Sequence, residues 1–130
     1  MRYNAAMRNS PAVIKYYLLG LGFQPNLKGY HLLARLIALA LAGEEIIPLK
    51  YRGYRRLAEE FGVGEASIEK DIQNAISAAW LRGDVDVLYR EFGETLDEER
   101  GKPTNKQFVL TALERLSGGA ALPFRESAEC

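Results

Sequence analysis

The chain has 130 residues, of which 48% are hydrophobic, and its 17 basic and 17 acidic residues give a formal net charge of zero. This length is typical of a single domain, and this hydrophobic fraction is enough for a buried core. A neutral chain has no general electrostatic attraction to nucleic acid, and no run of 18 uncharged apolar residues supports a membrane-spanning helix.

The first predicted elements are an N-terminal arm, residues 1–9, and a helix. Ser10 is a favoured N-cap, Pro11 suits a first helical turn, and apolar residues on one face continue to Leu21. A basic start before an apolar segment also outlines a signal peptide, but Lys15 interrupts the apolar segment. We therefore expect a cytoplasmic protein, and the single cysteine, Cys130, fits a reducing compartment.

A second helix is predicted from about Leu27 to Leu41. It is apolar nearly all round, which indicates the central core helix. The segment that follows, residues 43–54, is predicted to be a loop because Pro48 and Gly53 interrupt it. Basic residues mark the exit of this loop: Lys50, Arg52, Arg55 and Arg56.

The stretch "LAEEFGVGEASIEKDIQNAI", residues 57–76, contains two amphipathic helical patterns separated by a turn of about three residues. Gly62 suits a left-handed helix end, Gly64 is an acceptable N-cap, and Val63 is expected to plug the corner against Ile68. This layout is that of a helix-turn-helix, whose second helix can enter the DNA major groove. From the stretch alone, a DNA-binding motif and an ordinary helical corner fit equally well.

Two more helices complete an all-α prediction of about six helices in a compact bundle. The second helix of the motif is expected to stop at Arg82-Gly83, and Asp84 to cap the short helix "VDVLYREF". A charged loop follows, and Thr104 is expected to cap "NKQFVLTALERL". The predicted domain spans residues 10–117, and residues 118–130 are predicted to be a flexible tail.

Residues from about Gln24 to Leu116 resemble the C-terminal effector domain of the stage-zero sporulation response regulator of endospore-forming bacteria. The most specific shared motifs are Lys28-Gly29-Tyr30, Ala75-Ile76 with Ala79-Trp80 and Arg82-Gly83, and Lys102-Pro103-Thr104-Asn105 before Phe108. The resemblance implies a six-helix bundle that binds operator boxes of the TGTCGAA kind, often as head-to-tail pairs, and contacts RNA polymerase. In that family a phosphorylatable receiver domain precedes the effector domain. This chain begins almost at the first effector helix, so phosphorylation control is not expected in it.

The predicted recognition helix departs from the family pattern of Glu-Arg, two residues, then Arg-His. The matching positions here are Glu69-Lys70 and Gln73-Asn74. Glutamate can accept from cytosine N4, lysine can donate to guanine, and the amides can pair with adenine, so these four residues are the predicted base-reading set. The alternative is an ordinary solvated face, because the acidic residues Glu65 and Asp71 lie nearby.

Phosphate contacts are predicted on both flanks of this helix, since the first helix of such motifs crosses the DNA backbone. The predicted set is Lys50, Arg52, Arg55, Arg56, Ser67, Lys102, Thr104, Asn105 and Lys106. Thr104 and Asn105 have competing structural roles, as an N-cap and a loop tie. The charge is uneven, because the first 56 residues carry nine Lys and Arg against two Glu, hence +7, and the remainder must sum to −7.

No catalytic residue, metal site or cofactor is predicted. His31 is the single histidine, no internal cysteine could complete a metal site with it, and no nucleophile is paired with a base. Two functional hypotheses remain. One is a stand-alone, sequence-specific regulator of double-stranded DNA, able to pair head to tail on tandem sites. The other is a module that has lost DNA binding and contacts RNA polymerase or a full-length regulator, with Val87 and Tyr89 as the predicted protein-interaction residues.

Overall fold

The computed structural model describes residues 10–93 and 101–118, so the predicted arm and nearly all of the predicted tail lie outside the described residues. Within those ranges the chain forms six α-helices and no strand, which confirms the predicted all-α class. No helix in the described ranges is long and apolar enough to cross a membrane. The helices are α1 Pro11–Gly20, α2 Lys28–Leu41, α3 Tyr54–Phe61, α4 Glu65–Arg82, α5 Val85–Phe92 and α6 Asn105–Leu116.

Three helices begin at the residues that the sequence predicts as caps. The Ser10 hydroxyl accepts the Ala12 N–H at 3.2 Å, and Asp84 Oδ1 accepts the N–H groups two and three residues later. Thr104 and Gln107 form a reciprocal capping box, with distances of 3.1 and 2.8 Å. Each bond satisfies an amide that the helix itself leaves free, so these starts are fixed by local sequence.

Helix α2 is the central helix, as its composition predicts, and it contacts α1, α3, α4 and α6. It approaches α4 closely at Gly29, where an added Cβ would lie 2.0 Å from the Asp71 carbonyl oxygen and 2.6 Å from the Ala75 Cβ. Real Cβ atoms do not come this close to a backbone atom, so only glycine fits here. The first turn of α2 therefore sets the position of α4.

The prediction that residues 43–54 form a loop is wrong for its second half. Leu49–Gly53 is a π-helical turn that leads directly into α3, and the Tyr54 N–H donates to the Leu49 carbonyl five residues earlier. Leu49 is buried, and an added Cβ at Gly53 would lie 3.0 Å from the Ile46 carbonyl oxygen. The segment packs onto the core through its buried apolar residues. This packing places Lys50 next to the start of α3, the first helix of the helix-turn-helix.

The corner between α3 and α4 also differs from the prediction. Gly62 has the expected left-handed φ of 71°, but the Val63 side chain is 45% exposed and does not plug the corner. Both residues donate their N–H groups to the Ala58 carbonyl, at 2.9 and 3.2 Å. The backbone closes the corner over buried Leu57 and Ile68, and the left-handed turn leaves Val63 facing outward.

Trp80 is partly buried and packs against the core, where it joins the last three helices. Its ring is edge-on to Phe92 and Phe108, at centroid distances of 5.2 and 6.2 Å. Those two phenylalanine rings stack at 4.9 Å, and Phe23 adds a tilted contact to Phe108 at 5.1 Å. Aromatic pairs of this geometry hold α5 and α6 against the C-terminal end of α4.

Candidate nucleic-acid interface

Helix α4 presents one polar face to solvent and buries the opposite face. Its buried residues recur at spacings of three and four: Ile68, Ile72, Ala75, Ile76 and Ala79. The four predicted base-reading residues are all exposed: Glu69, Lys70, Gln73 and Asn74. Their spacing places them on one side of the helix, where they can contact a single surface.

The side-chain amide of Asn105, at the start of α6, forms hydrogen bonds that hold α4 in place. Its Nδ2 donates to the Tyr54 hydroxyl at 3.0 Å and to the Glu69 carbonyl at 3.1 Å. Burial raises the pKa of Tyr54, the hydrogen bond from Asn105 lowers it, and the nearby Glu69 charge raises it, with a net increase. Both amide hydrogens of Asn105 are used in these bonds, so the structure places this predicted phosphate contact in the role of a tie.

Three lysines surround a cavity of about 410 Å³ beside α4. Lys50 comes from the π-helical turn, whereas Lys102 and Lys106 flank the start of α6, and Glu69 and Gln73 of α4 complete the lining. None of the three lysines forms an ion pair within the described part of the chain. We call this feature the lysine cavity. It brings together predicted phosphate contacts that are about 50 residues apart in sequence.

The arginines predicted to clamp phosphates are instead all paired with glutamates. Arg52 lies 3.0 Å from Glu45, and Arg55 lies 3.6 Å from Glu65, a pair that joins α3 to the start of α4. Exposed pairs of this kind add about 0–1 kcal/mol to stability. Their greater effect is on phosphate binding, because a carboxylate already engages the guanidinium group to which a phosphate would bind.

Arg56 belongs to a separate network on the α2 side of α3. It pairs with Glu44 and, at 3.8 Å, with Glu60, and Glu60 also accepts two bonds from Arg35, at 2.7 and 3.1 Å. Two cations and two anions cancel, so this network adds no net positive charge. The loop before α3 brings Glu44 back to Arg56, a contact between residues 12 apart that the sequence pattern does not reveal.

A second cavity, of about 740 Å³, lies on the other side of α4 near its N-terminal end, and we call it the corner groove. Ser67 and Lys70 line it, together with Lys28 and His31 from α2. Sequence reasoning missed Lys28 and His31 as neighbours of the predicted site. The available signal was Gly29, because a glycine at a close helix crossing places the residues beside it against the partner helix.

The predicted protein-interaction residues have different environments. Tyr89 is 68% exposed, whereas Val87 is partly buried and packs against the core. Two other apolar residues in the same part of the chain are more exposed than either: Val85, at 73%, and Leu81 at the end of α4, at 84%. The exposed apolar surface at this end of the molecule therefore consists of Leu81, Val85 and Tyr89, and we call it the α5 edge.

The family model described as sporulation initiation factor Spo0A C terminal matches residues 14–116, which is most of the chain. The chain belongs to this family, and the resemblance noted in its sequence is confirmed. The family is one of DNA-binding transcription factor domains, not of enzymes. Family membership therefore implies that the chain is a DNA-binding effector domain of the sporulation-regulator type. The partner that this family implies is double-stranded DNA.

Proposed function

We propose that this member of the sporulation effector family is a regulator that reads duplex DNA with the outward face of α4 and holds the DNA backbone with the lysine cavity. The observation that carries the proposal is the convergence of Lys50, Lys102 and Lys106 beside Glu69 and Gln73. The lysines have no carboxylate partner in the described ranges, so their ammonium groups are available to phosphates. Phosphate contacts fix the register from which base-reading side chains act.

We further propose that the preferred box differs from the usual family box. Gln73 and Asn74 stand where the family pattern has arginine and histidine, and both side chains are exposed. An amide pairs with adenine N6 and N7 in the major groove, whereas arginine prefers guanine. The box should therefore carry adenine at the base pairs that these residues face, while Glu69 and Lys70 keep a preference for a C·G pair.

Selection from a pool of random duplexes tests the altered box. The full chain should enrich adenine at one or two positions, and Gln73→Ala with Asn74→Ala should flatten the preference there by about 1–3 kcal/mol for each bidentate amide–adenine pair removed. Asn26→Ala removes an exposed amide that lies outside α4, before the start of α2, and serves as the control. Recovery of the usual box with full preference, unchanged by the α4 substitutions, would contradict the proposed readout.

The ion pair between α3 and α4 gives a second expected result. Glu65→Gln should release Arg55 for a phosphate and raise affinity for duplex DNA by about threefold, with a steeper salt dependence. Glu59→Gln removes the same charge from α3, but Glu59 has no ion-pair partner in the described residues. Fluorescence anisotropy over a salt series compares the two variants. Equal gains would show a net-charge effect and exclude the specific release of Arg55.

A second candidate function is a protein-interaction module that keeps this fold without binding DNA. The glutamate-paired arginines and the exposed α5 edge favour it, and RNA polymerase or a full-length regulator would be its partner. Binding of the full chain to duplex DNA at low salt separates the two candidates. A complex weakened by lysine-cavity substitutions supports DNA readout, whereas no complex on the random pool or on the family box supports the module.

A further inference from the structure

The lysine cavity and the corner groove lie on opposite flanks of α4. Glu69 and Gln73 line the lysine cavity, whereas Ser67 and Asp71 line the corner groove. Ser67 and Asp71 are each two residues from Glu69, which corresponds to about 200° around a helix of 3.6 residues per turn. The outward face of α4 therefore has one cavity on each side.

This arrangement decides what each flank of α4 meets when the helix lies in the major groove of DNA. The major groove is about 12 Å wide, and a helix with its side chains is about 10–12 Å across, so the helix fills the groove. Each flank of the helix then faces a different phosphodiester strand. The lysine cavity supplies cations for one strand, and the other strand runs along the corner groove.

Lys28 is the cation that α2 contributes to the corner groove. It is the first residue of α2, its side chain is exposed, and it forms no ion pair with a described carboxylate. Its place beside α4 is fixed, because the next residue is Gly29, whose backbone lies against the Asp71 carbonyl. Ser67, exposed on α4, lines the same groove and adds a hydroxyl donor.

Two other groups in the corner groove affect the binding of an anion. His31 Nε2 donates to the Pro25 carbonyl at 2.8 Å, so the neutral ring has no second N–H for a phosphate. Asp71 is partly buried, pairs with no described cation and repels an anion. Lys28 and Lys70 outnumber this carboxylate, so the groove keeps a net positive charge that Asp71 weakens but does not cancel.

We propose that Lys28, together with Ser67, binds a backbone phosphate on the DNA strand opposite to the one that the lysine cavity binds. This inference rests on the proposed DNA-binding function and brings α2, a helix outside the helix-turn-helix, into the interface. Contacts to both strands fix the rotation of α4 in the major groove as well as its position along the DNA. The base-reading side chains then act from a single orientation.

Single substitutions in the full chain test the contact. Lys28→Ala should weaken binding to the selected duplex by about threefold at low salt and lower the slope of log affinity against log salt by about 0.9. Lys15→Ala removes the same charge from an exposed position on α1 that lines neither cavity, and it should change both quantities little. Asp71→Asn should raise affinity, and by more than Asp86→Asn, which removes the same charge from an exposed position on α5.

Duplexes with a neutral methylphosphonate at one backbone position at a time assign each lysine to a strand. Where the modification removes the phosphate that Lys28 contacts, Lys28→Ala should cost no further affinity, whereas Lys50→Ala should keep its full effect, as in a double-mutant cycle. A different position should abolish the effect of Lys50→Ala. We expect these two positions to lie on opposite strands.

Each of three results would overturn the proposal while wild type still bound DNA and the proposed function stood. Equal losses for Lys28→Ala and Lys15→Ala would reduce the effect to total charge. Methylphosphonate positions on the same strand for Lys28 and Lys50 would exclude contacts to both strands. A gain from Asp71→Asn no larger than that from Asp86→Asn would place no phosphate in the corner groove. If wild type bound no duplex at all, the proposed function and this inference would both be wrong.

Discussion

Replacing Lys50, Lys102 and Lys106 together with alanine should lower affinity for duplex DNA by at least about 30-fold at low salt, roughly equally on all sequences. Each lysine lines one cavity beside α4 and has no carboxylate partner among the described residues, so each is available to neutralise a phosphate. The slope of log affinity against log salt should fall by about 0.9 for each phosphate that is no longer neutralised, and so by up to about 2.7. Anisotropy titrations across a salt series measure both quantities.

The control for this triple variant replaces Lys15, Arg82 and Arg90, which are exposed elsewhere on the molecule, and so removes the same charge. It should lower affinity only slightly and leave the salt slope nearly unchanged. A loss of affinity confined to one preferred sequence would make the lysines base readers. Equal losses of affinity in the two triple variants would show that total charge, and not the lysine cavity, determines binding.

Gly29→Ala should destabilise the domain by about 3 kcal/mol or more, because overpacking against a backbone cannot be relieved by a side-chain rotation. The new methyl group would lie 2.0 Å from the Asp71 carbonyl oxygen, inside the contact between α2 and α4. For a domain of this size the melting temperature should fall by about 10 °C or more. Thermal unfolding followed by circular dichroism at 222 nm measures the change.

Gly20→Ala is the matched control, since a Cβ at this position of α1 would meet no atom within 4 Å. Alanine is favoured over glycine in helices by up to about 1 kcal/mol, so this variant should be neutral or slightly stabilised. If the Gly29→Ala variant had the same melting temperature as the Gly20→Ala variant, the distance between α2 and α4 at their crossing would have to be larger than the structure shows. The position of α4 would then depend on other contacts.

The helices could be predicted from sequence because their signals are local. Ser10, Asp84 and Thr104 act within three residues of themselves, and the periodicity of α4 separates its buried isoleucines from its polar face. The π-helical turn and the outward Val63 were not predictable in this way. They depend on how residues 46–53 and the left-handed Gly62 pack once the core has formed.

The candidate site likewise has features that local sequence predicts and features that depend on the complete fold. Periodicity alone indicates that Gln73 and Asn74 face outward, and the structure places both in solvent. It does not indicate that Lys50 and Lys102 line the same cavity, since that arrangement depends on how the whole bundle packs. Nor does it indicate that Arg56, a predicted phosphate contact, is paired with Glu44, because that pair forms only when the loop before α3 folds back toward Arg56.

The tie between Asn105 and α4 has a consequence for how this domain can diverge. Asn105 holds α4 through the main-chain carbonyl of Glu69, an atom that every residue type supplies. The other contacts that hold α4 come from its buried aliphatic face, from Trp80 and from the Arg55–Glu65 pair. The four predicted base-reading side chains form no hydrogen bond or ion pair within the described residues, so they take no part in holding the helix in place. They can be exchanged one by one without shifting the scaffold, so new operator specificities can arise by single substitutions, and engineered ones can be installed by the same route.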